Sequence, residues 1–348
     1  MQKKLSVAFL WHMHQPLYKD PVTGKYHLPW VRLHSTYSYL DMASILEEFP
    51  RAKATFNFTP SLIRQLLDIS GDKPVDDVYL RLSEKDAAHL TDRDRCFLLK
   101  NFFSCDPERA IAPFRKYKDL FSGRGNDLRE EALIKKAGDF SVSDFRDLQV
   151  FFNLAWCGFT LKGKDPLVRA LVRKGANYTE DDKLSLLKRQ KEVCASIIPA
   201  YKRLRDEGRI EITTSPYYHP ILPLLCRGRS KEGFDFSEDA KEQVRKAIDL
   251  YGEVFGARPA GMWPPEGGVS REVISLLADE GIKWIATDES ILLRSFKGKG
   301  GRRKELVYKA FTAEEEGRKI DMVFRDAGIS NAISFMYAHM PPKKAVLE

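Results

Sequence analysis

Six short apolar runs spread along the chain, most followed by a segment of helical period, set the tightest limit on how this sequence can fold. They are Leu5 to Leu10, Ala54 to Phe58, Ile210 to Thr213, Ala260 to Trp263, Trp284 to Ala286 and Met322 to Phe324. None alternates strictly, so each is expected to be buried on both faces, as strands are in a parallel sheet covered by helices. Helix signals fall between them. Thr59 can cap, Pro60 suits a first helical position, and Leu62, Ile63, Leu66, Leu67 and Ile69 form one stripe before Gly71. Ser270 likewise precedes Val273, Ile274, Leu277 and Ala278, with Gly281 as the stop. This alternation predicts an α/β fold, either a barrel or a doubly wound sheet.

Residues 71–195 break the rhythm. They are charged, carry helix-like stretches at Asp144 to Phe159 and Leu184 to Ile198, and show few strand signals. Gly123, Gly125 and Lys162 to Asp165 mark loops within them. The expected organisation is a discontinuous catalytic barrel from residues 1–70 and 196–340, with 71–195 as an inserted helical subdomain.

Composition narrows the class. With 348 residues, 43% hydrophobic and 30% charged, the chain can bury a sizeable core without disulfides. No apolar run approaches the roughly 18 to 20 residues of a membrane span. The N-terminus starts with basic residues like a signal peptide, but His12 and His14 interrupt its apolar stretch, so it reads as a structural strand. Cys96, Cys105, Cys157, Cys194 and Cys226 are odd in number and irregularly spaced, which suits reduced thiols in the cytoplasm. The formal charge of +8 comes from 57 basic and 49 acidic residues that are interleaved, so neither nucleic acid nor a membrane is expected as a partner. Only Lys297 to Lys304 is a concentrated basic run, and its glycines suit a mobile loop open to an anionic partner.

The residues able to do chemistry cluster just past the apolar runs. In Trp11-His12-Met13-His14-Gln15-Pro16, alternation puts both histidines on one face of a strand that the proline then ends. In Trp263-Pro264-Pro265-Glu266-Gly267-Gly268, two prolines and two glycines hold Glu266 in a rigid bend, as a nucleophile requires. Trp263 beside it offers a flat face for a sugar ring. A third run, Val323-Phe324-Arg325-Asp326, delivers Asp326, which Arg325 beside it can equally engage as a surface ion pair. Asn57, His219 and Asp288 also follow strand-like runs.

Two carboxylates from different strand ends are the minimum apparatus for glycosidic cleavage, with retention at a separation of roughly 5 to 5.5 Å and inversion at roughly 6.5 to 9.5 Å. Two other readings fit the same residues. His12 and His14 can bind a metal with Asp288 or Asp326, as in a deacetylase-type barrel hydrolase. Alternatively, Trp263 and the histidines bind a glucan that is never cleaved.

Four segments, His12-Met13-His14-Gln15-Pro16, Gly208 through Pro220, Trp263 through Gly268 and Val323 through Ser330, resemble in order the signature regions of glycoside hydrolase family 57. That family comprises α-amylases, amylopullulanases, 4-α-glucanotransferases and α-glucan branching enzymes. The resemblance implies a (β/α)7-type barrel acting by retention on an α-glucan or maltooligosaccharide, with no cofactor and no metal. Glu266 matches the nucleophile and Asp326 the general acid/base. His12, His14 and His219 match sugar-subsite positions, Trp263 is placed to stack, and Asn57 and Asp288 complete the expected substrate-binding set. Glu211, mid-strand in the second segment, is a lesser candidate. Trp284 through Leu293 looks most like the amylopullulanase branch. Family members continue into a C-terminal helical region, and residues 341–348 read as the start of such a helix.

Overall fold

A strand buried on both faces needs parallel neighbours joined by covering helices, and that is the arrangement found. The computed structural model describes residues 6–226, 235–296 and 303–348. Among them, β1 (Leu10–Met13), β2 (Ala54–Phe58), β3 (Ile210–Thr214), β4 (Gly261–Met262), β5 (Trp284–Asp288), β6 (Phe311–Glu315) and β7 (Arg318–Arg325) form one sheet. Its order is β1-β2-β3-β4-β5-β7-β6. Every adjacent pair is parallel except β6 with β7. The fold is α/β, built on a parallel-rich sheet of seven strands.

Two strands differ from expectation. The first starts at Leu10, because Leu10 to Met13 are the residues in register with β2; residues 6–9 are exposed and Leu5 lies outside the described residues. β6 was not anticipated. It pairs with β7 across a two-residue turn at Glu316 and Gly317, both at positive φ (51° and 78°), the conformation that matches strand twist in tight hairpins. β7 accordingly alternates buried and exposed residues, as a half-solvated antiparallel strand does. The side chains of Lys297 to Lys304 lie outside the described residues.

Two compact units result. The first, Met1–Pro16, Ala54–Ser61 and Ile210–Glu348, holds the sheet. Its core joins the helices Ser237–Phe255 and Arg271–Asp279 to the strands through Val244, Ile248, Met262, Val273, Leu277 and Ile285. Ser270 caps the second helix by accepting from the Val273 amide, and Gly281, at φ 82°, ends it. The second unit, Leu17–Lys53 and Leu62–Arg209, is helical and wider than the 71–195 span expected. Its N-terminal segment belongs there because buried Arg32 donates to Asn153 Oδ1 at 2.8 Å and Gln190 Oε1 at 2.9 Å. Its principal helices, Val142–Ala155 and Glu180–Asp206, both open on reciprocal capping boxes. Among the described residues no helix is long and apolar enough to cross a membrane.

Candidate active site

Parallel strands all point their C-terminal ends the same way, so side chains just past those ends collect on one side of the sheet. At the ends of β1 to β3 the collection is held by Asn57, which has no exposed surface. Its Nδ2 donates to the Thr214 carbonyl at 2.6 Å and to Thr213 Oγ1 at 3.1 Å. The carbonyl partner fixes the amide orientation, so Oδ1 is the atom facing His12 Nδ1 at 2.6 Å. His12 Nδ1 must therefore carry the proton, which leaves the Nε2 lone pair free. Ser215 Oγ lies 3.0 Å from the same Oδ1 and 2.8 Å from the Trp263 carbonyl, linking the β2, β3 and β4 ends. Asn57 thus orients His12, and it has no free surface with which to meet a ligand.

Three imidazoles meet here. Ring centroids of His14 and His219 are 4.0 Å apart, those of His12 and His219 5.0 Å, and those of His12 and His14 5.6 Å. Trp263 stands 5.8 Å from His12. His219 sits at φ 60°, uncommon for a side chain with a Cβ, and its Nε2 is buried without a hydrogen-bond partner. One nitrogen from each histidine lies within 4.8 Å of the others, a set of atoms able to hold a metal.

Packing sets the charge state. Crowding around the ring lowers His12 to about 4, although the residue keeps exposed surface, against the opposing Asn57 bond and with a smaller push from His14. Burial, then the charges of His14 and His12, lowers His219 to about 3. His14 is also lowered by burial, with the nearby Glu266 carboxylate pulling the other way. All three rings are neutral at pH 7. A group whose folded pKa lies below its unfolded value takes up protons on unfolding, so stability is whole above about pH 6.5 and falls as the pH drops through about 4 toward 3. The expected result is a denaturation midpoint that declines over this range and declines less steeply in His12→Gln. Equal slopes in chemical unfolding series would refute the assignment.

Glu266 lies in the turn Pro265–Gly267 at φ 55°, ψ 18°. A left-handed non-glycine residue costs about 1 to 2 kcal/mol and persists where its surroundings over-determine it. Here the constraints are visible. The Gly267 and Gly268 amides bond the Pro264 and Pro265 carbonyls, and Thr287 Oγ1 donates to the Gly267 carbonyl at 2.5 Å. A Cβ on Gly267 would stand 3.3 Å from the Asp288 nitrogen, a tight contact, and the residue sits at φ 66°, so glycine suits the approach of the bend to β5. The Glu266 side chain itself is exposed.

The remaining acids have other partners. Asp288 ends β5, caps Glu289–Ser295 through the Ser290 amide, and accepts from Arg325 Nε at 2.8 Å. Burial raises its pKa, but the Arg325 and Ser290 bonds outweigh it and the net shift is downward. Arg325 therefore turns to Asp288 on the neighbouring strand. Asp326 caps Ala327–Asn331 through the Ile329 amide at 2.9 Å and accepts from Tyr308 Oη at 2.8 Å. Glu211 accepts from Trp284 Nε1 at 2.9 Å, a partner within the sheet. Ser215, Thr287 and Tyr308 escaped the reading from sequence, because a lone hydroxyl residue carries no local pattern. A separate cavity of about 510 Å³ includes Lys241, Arg271, Glu238, Glu272 and Glu315 in its lining but none of these site residues, and its mixed charges select no ligand.

Comparison with known proteins adds the following. The family described as "Glycosyl hydrolase family 57" matches residues 8–348. "Alpha-amylase 1" of Dictyoglomus thermophilum is 24% identical over 119 residues, 34% of this chain and 15% of that protein. A 1,4-alpha-glucan branching enzyme of Thermococcus kodakarensis is 33% identical over 76 residues, 22% of this chain and 10% of that protein. Among solved structures, a branching enzyme from Pyrococcus horikoshii aligns at TM-score 0.49 and 18% identity, covering 92% of this chain and 47% of the other. The chain thus spans less than half the length of these relatives.

Proposed function

The chain belongs to glycosyl hydrolase family 57, and on that premise we propose that it cleaves α-1,4-linked glucans with retention, passing the sugar to water or to an acceptor sugar. The observation that carries the reading is Glu266, an exposed carboxylate in a strained, braced turn beside three neutral imidazoles and an indole. Sugar hydroxyls are donors, and neutral imidazole nitrogens and a flat indole face suit them.

In the proposed sequence a sugar ring packs on Trp263 while His12, His14 and His219 take its hydroxyls. Glu266 attacks the anomeric carbon and the glycosidic bond breaks as Asp326 gives its proton to the leaving oxygen. Asp326 then takes a proton from water or from a sugar hydroxyl, whose oxygen displaces Glu266. Strand order favours the pairing. Glu266 follows β4 and Asp326 follows β7, with only β5 between, so the two strands that deliver them are about two strand spacings, roughly 10 Å, apart. The proposal requires the two carboxyl groups to come within the roughly 5 to 5.5 Å of a retaining pair. Asp288, paired with Arg325, holds the ground between them.

A second reading, glucan binding without cleavage, is favoured by one observation. Both oxygens of Asp326 accept hydrogen bonds, from Tyr308 and from the Ile329 amide, and bonds of that kind favour the charged carboxylate over a proton donor. Incubation with a single maltooligosaccharide separates the two. Shorter products with retained α-configuration, or shorter and longer products together, support the enzyme. Saturable binding with no product supports the second reading, and neither binding nor product rejects both. A cytoplasmic setting is part of the same proposal, supported by five free cysteines, four of them buried.

A further inference from the structure

We propose that His12, His14 and His219 form a binding site for a divalent transition cation of the zinc type. Three observations carry this. One nitrogen from each ring lies within 4.8 Å of the other two. A tetrahedral ion bound at about 2.1 Å needs its nitrogens about 3.4 Å apart, a difference that modest ring rotations close. His12 has the hydrogen bond that zinc-binding histidines use behind the metal. Its Nδ1 donates to Asn57 Oδ1 at 2.6 Å, and Asn57 is itself fixed by the Thr214 carbonyl, so Nε2 presents its lone pair. Finally, His219 Nε2 is buried with no hydrogen-bond partner, a state that an ion would relieve.

The donor chemistry selects the ion. Three imidazoles suit zinc, cobalt, nickel or copper, whereas magnesium and calcium require oxygen ligands. His219 replaces the Asp288 or Asp326 expected from sequence as the third ligand; Asp288 is engaged with Arg325, and Asp326 with Tyr308 and the Ile329 amide. The inference rests on the histidine geometry and does not require that the chain cleave glucans. Where it does, a bound ion occupies the face offered to the sugar, so zinc opposes substrate.

The test is titration of the 348-residue chain with Co²⁺ and Zn²⁺, with thiols blocked beforehand, following visible absorption of Co²⁺ and metal retained after dialysis. The expected result is one saturable equivalent with the intense bands of tetrahedral cobalt. His219→Asn, which keeps a residue tolerant of positive φ, and His14→Gln should each weaken binding at least about tenfold, and Asn57→Ser by about 10- to 100-fold. His89→Gln, at an exposed histidine of the helical unit, should leave it unchanged. Circular dichroism and unfolding midpoints establish that each variant is folded. No saturable uptake, or uptake indifferent to both His219→Asn and His14→Gln, overturns the site. A chain that binds metal but cleaves nothing loses only the glycosidase proposal, and one that cleaves but binds no metal loses only this one.

Discussion

Glu266→Gln is expected to lower turnover on a maltooligosaccharide by at least about a thousandfold while leaving the unfolding midpoint within measurement error. The change removes a negative charge and a nucleophilic oxygen but keeps side-chain length. It also leaves the turn alone, since the prolines, Gly267, Gly268 and the Thr287 bond hold the backbone at φ 55° whichever residue stands there. A covalent route cannot bypass the missing carboxylate, whereas a residue that merely orients substrate would raise KM more than it lowers kcat. Near-normal turnover in a folded Glu266→Gln protein would end the nucleophile assignment. Asp326→Asn should lose about 10²- to 10⁴-fold, with a smaller loss on substrates whose leaving group needs no proton.

Gly261→Ala carries the largest expected loss of stability, about 3 kcal/mol. Gly261 pairs with Trp284 across β4 and β5. A Cβ at 261 would overlap Cε2 and Cζ2 of the Trp284 indole, whose Nε1 donates to Glu211 on β3. The glycine leaves the space through which an indole rooted on β5 reaches across β4 to a carboxylate on β3. Adding one methyl must push the ring aside and break that bond. If so, Gly261→Ala costs little once Trp284→Leu is present, and a double-mutant cycle in urea returns a coupling above about 1 kcal/mol. Additive losses would mean that the ring and the glycine do not meet.

Much of the site was legible because chemistry-bearing residues followed apolar runs. His12, His14 and Glu266 announced themselves through local pattern, a His-x-His at a strand end and an acid between two prolines and two glycines. The partners were not legible in the same way. Whether Arg325 meets Asp326 beside it or Asp288 on the next strand depends on strand register, which pairs Asp288 with Arg325. Asn57 illustrates the same limit. Its position at the end of a strand-like run suggested contact with a ligand, whereas full burial makes it the support of His12. β6 was not legible because Phe311–Glu315 is not a buried apolar run, and its Glu316-Gly317 turn is not one of the Asn-Gly or Asp-Gly pairs that mark a hairpin in sequence.

The amino-acid order by itself determined the α/β class, most strand positions, the family and the cluster of candidate side chains, because burial on both faces and turn chemistry act over a few residues. Only the tertiary structure decided that three histidines share one space, that Glu266 bears a left-handed backbone beside them, and which group each acid engages. Those facts depend on register and on desolvation by distant neighbours, which no short window of sequence contains.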